Sequence, residues 1–180
     1  LAGKAKATLS SDGKHYILNG EKIFVTNGGF ADLFTLFAKI DGEHFTGFLV
    51  ERNFPGVTIG PEEKKMGIHG SSTVSIWLKD AQVPVENVLG EIGKGHRIDF
   101  NVLNVGRWKL GAACLGACKR LIERTVPYIK QRQQFGISIS DFELIRDKLA
   151  TMGILTYLVE SLVYRYAHMV DKAMGKLYHP

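Results

Sequence analysis

The chain has 180 residues and a mass of 20.0 kDa; 45% of its residues are hydrophobic and 23% are charged. This balance is typical of globular domains and excludes disordered and collagen-like chains. The longest apolar or small-residue stretch, residues 110–118, is too short to span a bilayer, so no transmembrane segment is expected. Two cysteines cannot form a disulfide framework, and they indicate a reducing compartment. Residues 1–6 (LAGKAK) contain neither a methionine start nor a signal peptide, which is typical of a cut inside a longer chain.

Glycine and charge are distributed unevenly along the chain, and both change near residue 95. Residues 1–95 hold 14 of the 20 glycines and carry 10 Lys and Arg against 11 Asp and Glu, a net charge of −1. Residues 96–180 carry 13 Lys and Arg against 7 Asp and Glu, a net charge of +6. We therefore predict two domains, 1–94 and 95–180.

The first of these domains is predicted to consist of short strands. Apolar runs alternate with turn signals such as Asn19-Gly20, the commonest two-residue hairpin pair, and Asp41-Gly42. The predicted strands are 5–9, 16–18, 22–26, 33–39, 45–51, 57–59, 74–78 and a short one at Val83. Short strands at this spacing are typical of an antiparallel β-sandwich or barrel.

The second domain is predicted to be helical. Apolar residues recur every three or four positions from residue 95 to 134, through Pro127, and Gly136 is the predicted left-handed cap of this helix. A capping box at Ser140 and Glu143 predicts the start of a second helix of about 30 residues. Two long helices do not close a bundle, so further helices are expected. The predicted fold class is therefore α+β, a β domain followed by part of a four-helix bundle.

Five strings carry a more specific signal than periodicity does. They are 16–29 (YILNGEKIFVTNGG), 63–68 (EKKMGI) with Ser71 and Thr73, 83–91 (VPVENVLGE), 103–107 (LNVGR) and 132–136 (RQQFG). In this order and spacing the chain resembles the acyl-CoA dehydrogenases, and among them the very-long-chain branch and similar bacterial enzymes. The resemblance runs over nearly the whole chain, and it implies the middle β domain plus the first two helices of the C-terminal domain.

The resemblance implies an FAD-dependent α,β-dehydrogenation of fatty acyl-CoA thioesters to trans-2-enoyl-CoA. Some relatives carry their catalytic glutamate just before the arginine of the fourth string, where this chain has Gly106. No catalytic residue is therefore assigned within the chain, because the glutamate is expected beyond it, and the isolated 180 residues are expected to show little or no dehydrogenation. The alternative is a non-enzymatic homologue that acts as a scaffold or assembly protein.

The resemblance places Phe24, Val25 and Thr26 at the flavin, with the Phe24 ring against the isoalloxazine and the Thr26 hydroxyl toward N5. The family usually has tryptophan where this chain has Phe24. Alternation along a strand would put Phe24 and Thr26 on one face, about 7 Å apart. The alternative is that Phe24 belongs to the core and that Thr26 is a polar strand end before a turn.

The resemblance also implies that Arg132 binds the FAD pyrophosphate of a neighbouring subunit, with Gln134 and Phe135 on the adenosine side. A guanidinium fork suits a diphosphate, although an arginine near a helix C-terminus also interacts favourably with the helix dipole. Asn104 and Arg107, three residues apart on one helical face, are implied near the thioester and pantetheine of acyl-CoA. For Asn104, a polar position on the helix surface is the alternative.

The implied partners are fatty acyl-CoA, the electron-transfer flavoprotein as acceptor, and further copies of the chain in a homodimer or homotetramer. No metal site is predicted, because Cys114 and Cys118 fit helix packing and the six histidines lack ligand spacing. Nucleic-acid binding is not expected, since the basic half lacks a base-reading motif. The predicted compartment is the cytoplasm of a bacterium, which is preferred, or the mitochondrial matrix of a eukaryote.

Overall fold

A computed structural model describes the backbone of residues 4–178 and the side chains of residues 4–175. Residues 1–3 of the 1–6 stretch predicted to follow a cut, and one of the six histidines, His179, lie outside this range. The chain divides into two compact units, and the division falls between Asn101 and Val102.

The first unit is built on one seven-stranded sheet. Its strands are β1 (Lys6–Leu9), β2 (His15–Thr26), β3 (Leu33–Ile40), β4 (His44–Glu51), β5 (Val57–Glu62), β6 (Thr73–Pro84) and β7 (Val88–Leu89). They are hydrogen-bonded in the order β5-β6-β2-β1-β3-β4-β7. The pairing of β1 with β3 is parallel, and the other pairings are antiparallel. A short 3-10 helix, Val85–Asn87, joins β6 to β7.

The sheet curls around its own core. Strands β4 and β6 contact each other although they are not neighbours in the sheet. Phe48 of β4 and Ile76 of β6 are fully buried in one apolar cluster, which also contains Leu18 of β2. The ring of Tyr16 meets that of Phe48 edge-on, with centroids 5.4 Å apart. The closure agrees with the predicted sandwich or barrel, apart from the one parallel pairing.

The Asn19-Gly20 hairpin prediction is wrong, because β2 runs straight through this pair. The ladder between β2 and β6 shifts register between Leu18 and Gly20, and Gly20 has a φ of 147°. A Cβ at Gly20 would lie 2.8 Å from the Cα of Ala5 in the first unit. The Asn19 amide exchanges hydrogen bonds with Asp80, donating to its Oδ1 and accepting from its backbone N–H. Asn19 therefore lies opposite a bulge of β6, where Lys79 and Asp80 together face this one residue of β2. At Asp41-Gly42, by contrast, the predicted turn joins β3 to β4.

The second unit contains most of helix α1 (Gly95–Gln131), which continues through Pro127, and helix α2 (Glu143–Tyr178). Between them lies a small hairpin of strands β8 (Gln133–Gln134) and β9 (Ile137–Ser138), followed by a 3-10 turn at Ile139–Asp141. Neither helix has, in its described part, an apolar segment long enough to cross a bilayer.

Two predicted helix ends differ from the structure. Gly136 (φ 82°) does not cap α1; with Phe135 it forms the two-residue turn of the β8–β9 hairpin. The Ser140 hydroxyl pairs with the Ser138 hydroxyl at 2.8 Å, and the Ser138 side chain caps the 3-10 turn instead. Helix α2 therefore begins at Glu143, and the predicted capping box does not form.

Much of the apolar surface of the helical unit is exposed. Leu115 and Ile129 of α1 are buried, but α2 exposes a run of large side chains: Ile154, Leu155, Tyr157, Leu158 and Leu162. One ion pair, Lys119 with Glu160, links α1 to α2. The long helices and the β domain confirm the predicted α+β class. The further helices of the bundle stay a prediction.

Candidate functional site

The predicted flavin-contacting residues lie at the end of β2, where the ladder with β6 is irregular. Lys22 pairs with Ile76 and Val25 pairs with Val74, so two residues of β2 lie opposite Ser75 alone. Phe24 has a φ of 56°, in the left-handed region that aromatic residues rarely adopt. The pleat is therefore broken by a bulge, and the strict alternation assumed for Phe24 and Thr26 does not hold here.

The bulge turns the Phe24 ring outward. Its side chain is 66% exposed, Thr26 is exposed as well, and Val25 between them packs against the core. The alternative interpretation of Phe24 as a core residue is therefore excluded by its exposure. Thr26 is the last residue of the strand, paired with Thr73, so it is also a polar strand end. An exposed ring and an exposed hydroxyl at one strand end fit a planar ligand with a polar edge.

A tight turn of residues 27–31 follows Thr26 and is gripped on one side by Arg52. The Arg52 guanidinium donates to the carbonyl of Gly28 at 2.7 Å and to that of Ala31 at 2.8 Å. It also lies 5.8 Å from the ring centroid of the buried Phe34. No local motif in the sequence marks Arg52, because its two acceptors are more than twenty residues away along the chain.

The other side of the same turn is held by Ser72, which directly precedes β6, and by Glu62 at the end of β5. The amide of Gly29 donates to the Ser72 hydroxyl at 2.9 Å, and this hydroxyl donates to Glu62 at 2.6 Å. A Cβ at Gly29 would lie 2.5 Å from both of those side-chain oxygens, so the contact requires glycine. The Ser72 hydroxyl and then the Thr73 amide hold the pKa of Glu62 below its ordinary value of 4.5, which keeps the carboxylate ionised.

A partly buried amine precedes the bulge. The Lys22 ammonium donates to the carbonyl of Phe37 on β3 at 2.6 Å. Burial lowers the pKa of Lys22, and the nearby Asp99 carboxylate opposes this shift. The sequence does not predict this burial, because the residues around Lys22 have the pattern of an exposed strand.

The second predicted group lies on the β8–β9 hairpin. Arg132 directly follows α1. Its backbone N–H donates to the Tyr128 carbonyl, and its own carbonyl accepts from the backbone N–H of Ile139. The side chains of Arg132 and Gln134 are exposed. Phe135 is 93% exposed at a φ of 55°, and its ring meets that of Phe142 edge-on, with centroids 6.3 Å apart. The hairpin therefore brings all three residues onto one short projecting segment.

The third predicted group lies on α1. The Arg107 guanidinium donates to the Asn104 side-chain oxygen at 3.0 Å, so the two residues form one polar unit. Both line a groove of about 360 Å³ within the helical unit. The rest of its lining is largely apolar: Trp108, Gly111, Leu162, Val163 and Tyr166. A polar pair at the rim of an apolar groove can hold a polar group that carries an aliphatic chain.

Within residues 4–178, no group of three or more His, Cys, Asp or Glu side chains is arranged to hold a metal ion. Each of the three predicted groups is assembled within its own unit, the first in the β unit and the other two in the helical unit. Their chemistry is aromatic contact, hydroxyl donation and guanidinium binding.

Comparison with known proteins gives two family matches. The model of the acyl-CoA dehydrogenase middle domain matches residues 2–81, and the model of the acyl-CoA dehydrogenase C-terminal domain matches residues 93–176. A probable acyl-CoA dehydrogenase of Bacillus subtilis (strain 168) is 51% identical over 176 residues, which are 98% of this chain and 30% of that protein. The mitochondrial very long-chain specific acyl-CoA dehydrogenase of Bos taurus is 44% identical, over 94% of this chain and 27% of its own length.

A crystal structure of an acyl-CoA dehydrogenase complexed with FAD, from Bacillus anthracis, superposes with a TM-score of 0.89 at 53% identity. The match covers 97% of this chain and 30% of that one. The chain thus spans less than a third of these relatives. The two family models together cover nearly all of it, in the order that the sequence strings predict. The chain belongs to the acyl-CoA dehydrogenase family.

Proposed function

We propose that this chain is part of an FAD-dependent acyl-CoA dehydrogenase that converts fatty acyl-CoA thioesters to trans-2-enoyl-CoA. The observation that carries the proposal is the end of β2, where an exposed aromatic ring and an exposed hydroxyl project beside a turn held from two sides. The similar protein from Bacillus anthracis, crystallised with FAD, supports the cofactor. The family matches favour this enzyme over a non-enzymatic scaffold.

FAD, when bound, supplies the acceptor for the hydride that leaves the β carbon of the substrate. In this proposal the Phe24 ring covers part of one flavin face and excludes water there. The Thr26 hydroxyl donates a hydrogen bond at the reactive edge, and Val25 anchors both residues through its packing on the core. The exposure of the first two and the burial of the third fit this division of roles.

Arg132 is proposed to bind the pyrophosphate of FAD held mainly by a second copy of the chain, with Gln134 and Phe135 against the adenosine. Their exposure on a projecting hairpin supports a contact outside the chain's own fold. A homodimer is then the minimum unit for cofactor binding, and a tetramer would be a pair of such dimers. The electron-transfer flavoprotein is the proposed acceptor of the electrons.

Asn104 and Arg107 are proposed to hold the thioester and pantetheine region of acyl-CoA. Their mutual hydrogen bond fixes the guanidinium at the rim of a groove whose lining is otherwise largely apolar. The catalytic base is proposed to be a glutamate of the polypeptide outside these 180 residues. We further propose a domain boundary between residues 94 and 95, and the bacterial cytoplasm or the mitochondrial matrix as the compartment.

The full-length polypeptide provides the test. Purified protein should contain FAD and should reduce an artificial electron acceptor with fatty acyl-CoA substrates, and replacement of Thr26 by valine should slow this reaction while FAD is retained. A protein without flavin and without activity over all chain lengths would refute the proposal. A protein that binds FAD and acyl-CoA but never turns over would support the scaffold alternative instead.

A further inference from the structure

Arg52 lies outside every segment that the family resemblance assigns to the cofactor, yet it makes long-range contacts with the turn behind Thr26. Its guanidinium spans residues 28–31 by donating to the carbonyls of Gly28 and Ala31. Two N–H groups of one rigid planar fork fix both the distance and the angle between their acceptors. The backbone N–H of Arg52 also donates to the carbonyl of Asp32, the residue directly after the turn, at 2.8 Å.

The turn needs such support because its neighbours have little packing of their own. Phe24 and Thr26 are exposed, and Val25 is the only one of the three that packs against the core. Inside the turn, the Asn27 carbonyl accepts the amides of both Phe30 and Ala31. These bonds shape the turn but do not attach it to the rest of the sheet.

Besides the packing of Ala31 against the core, the turn is attached by hydrogen bonds from two directions. On one side lies Arg52, whose guanidinium is itself supported by the face of the buried Phe34 ring. On the other side, the Gly29 N–H donates to the Ser72 hydroxyl, and the Asn27 N–H donates to the Ser72 carbonyl. Charge-assisted hydrogen bonds are about twice as strong as neutral ones, so each guanidinium contact with the turn is stronger than a neutral contact from Ser72.

We propose that Arg52 is a positioning residue for the cofactor site: it holds the 27–31 turn, and through it the exposed hydroxyl of Thr26, in the orientation that meets the flavin. This inference rests on the proposed function, since it presupposes that the end of β2 contacts FAD. Arg52 itself touches no cofactor in this scheme and acts through the backbone of the turn.

The experiment uses the full-length flavoprotein with Arg52→Met and Arg52→Lys, and with Arg120→Met as the matched control. Arg120 is an exposed helix arginine whose partner, Glu123, is three residues away. Three quantities are measured: the dissociation constant of FAD, the visible circular dichroism of bound flavin at saturation, and kcat. Arg52→Met is expected to bind FAD about tenfold more weakly, equivalent to about 1.4 kcal/mol, with an altered flavin dichroism and a lower kcat. Arg52→Lys should fall in between, because an ammonium lacks the planar fork, and Arg120→Met should match the wild type.

The outcomes separate this inference from the proposed function. A wild-type protein without FAD refutes the proposed function itself. Normal flavin dichroism and normal kcat in FAD-saturated Arg52→Met show that Arg52 is merely structural, even if the apoprotein melts earlier, and overturn the inference. If Arg52→Met does not fold, Arg52→Lys and Ser72→Ala carry the test from the two sides of the turn. Unchanged flavin dichroism and kcat in both would then overturn it.

Discussion

Phe24 has an exposed ring on a strained backbone, and this allows its role to be tested by a stability measurement. We consider the substitution Phe24→Gly. Three contributions can be worked from the structure. Relief of the left-handed φ of 56° is worth about 1–2 kcal/mol. The greater freedom of glycine in the unfolded chain costs about 0.5–1 kcal/mol. Loss of the third of the side chain that is covered costs roughly 0.5–1 kcal/mol, scaled from full burial.

These contributions nearly cancel, so Phe24→Gly should change the free energy of unfolding by less than about 1 kcal/mol. Phe24→Ala, which keeps the strain, should be the less stable of the two variants. Phe48→Ala is the control for a true core ring, with an expected loss of about 3–5 kcal/mol because Phe48 is fully buried. The assay is equilibrium urea unfolding of the full-length apoprotein.

FAD affinity, unlike the free energy of unfolding, should fall clearly in Phe24→Gly. An aromatic contact contributes about 0.5–1.5 kcal/mol beyond the effect of the area it buries. Without it, Phe24→Gly should bind FAD up to about tenfold more weakly. Fluorescence titration of apoprotein with FAD measures this. A Phe24→Gly variant destabilised as strongly as Phe48→Ala would show that the ring supports the fold, and the reasoning would be refuted. Unchanged FAD affinity would refute the stacking role alone.

Two further predictions concern the backbone and the turn. Gly20→Ala should destabilise the β unit by about 3 kcal/mol, since its φ of 147° and the 2.8 Å approach of the facing strand both exclude a Cβ. Gly13→Ala, where φ is 70° but the space is open, should cost only about 1 kcal/mol in the same urea unfolding experiment. The pKa of Glu62 is lowered by the Ser72 hydroxyl and the Thr73 amide, so its contribution is present above the ordinary pKa of 4.5 and is lost as pH falls through the lower folded value. The protection factor of the Thr73 amide, its exchange rate compared with the intrinsic rate at the same pH, should therefore fall in acid as Glu62 is protonated. Glu62→Gln should remove this fall, and an equal fall of the protection factor in both proteins would contradict the prediction.

The sequence was informative where local signals decide the structure. Asp41-Gly42 lies between two clean apolar runs, and it forms the predicted turn. Asn19-Gly20 carries an equally strong local signal but lies inside β2, because Asn19 is hydrogen-bonded to Asp80 of β6, which is 61 residues away. Likewise, the broken pleat at Phe24 depends on pairing with β6, which no local pattern records.

The same limit applied to the candidate site. The positions of the three residue groups came from family strings, and their local geometry came only from the structure. The contacts of Arg52 and of Ser72 join segments that are far apart in sequence, and each residue alone is an ordinary polar surface type. The predicted helix ends were wrong for a related reason. The Ser138 side chain, not that of Ser140, caps the 3-10 turn, and Gly136 lies in the two-residue turn of the β8–β9 hairpin.

Backbone strain is a further observation that bears on the proposed site. Among the described residues, six non-glycine residues have positive φ, and three of them are Asn or Asp, which tolerate this region. The others are Phe24, Ile68 and Phe135, for which it is unfavourable. All three expose most of their side chain, so none gains compensating burial. Strain without local compensation clusters at functional sites. Two of these three residues are the aromatics that the family strings had already assigned to FAD, on different units of the chain. Backbone strain therefore supports the proposed FAD roles of Phe24 and Phe135, and it also marks Ile68, to which the family strings assign no role.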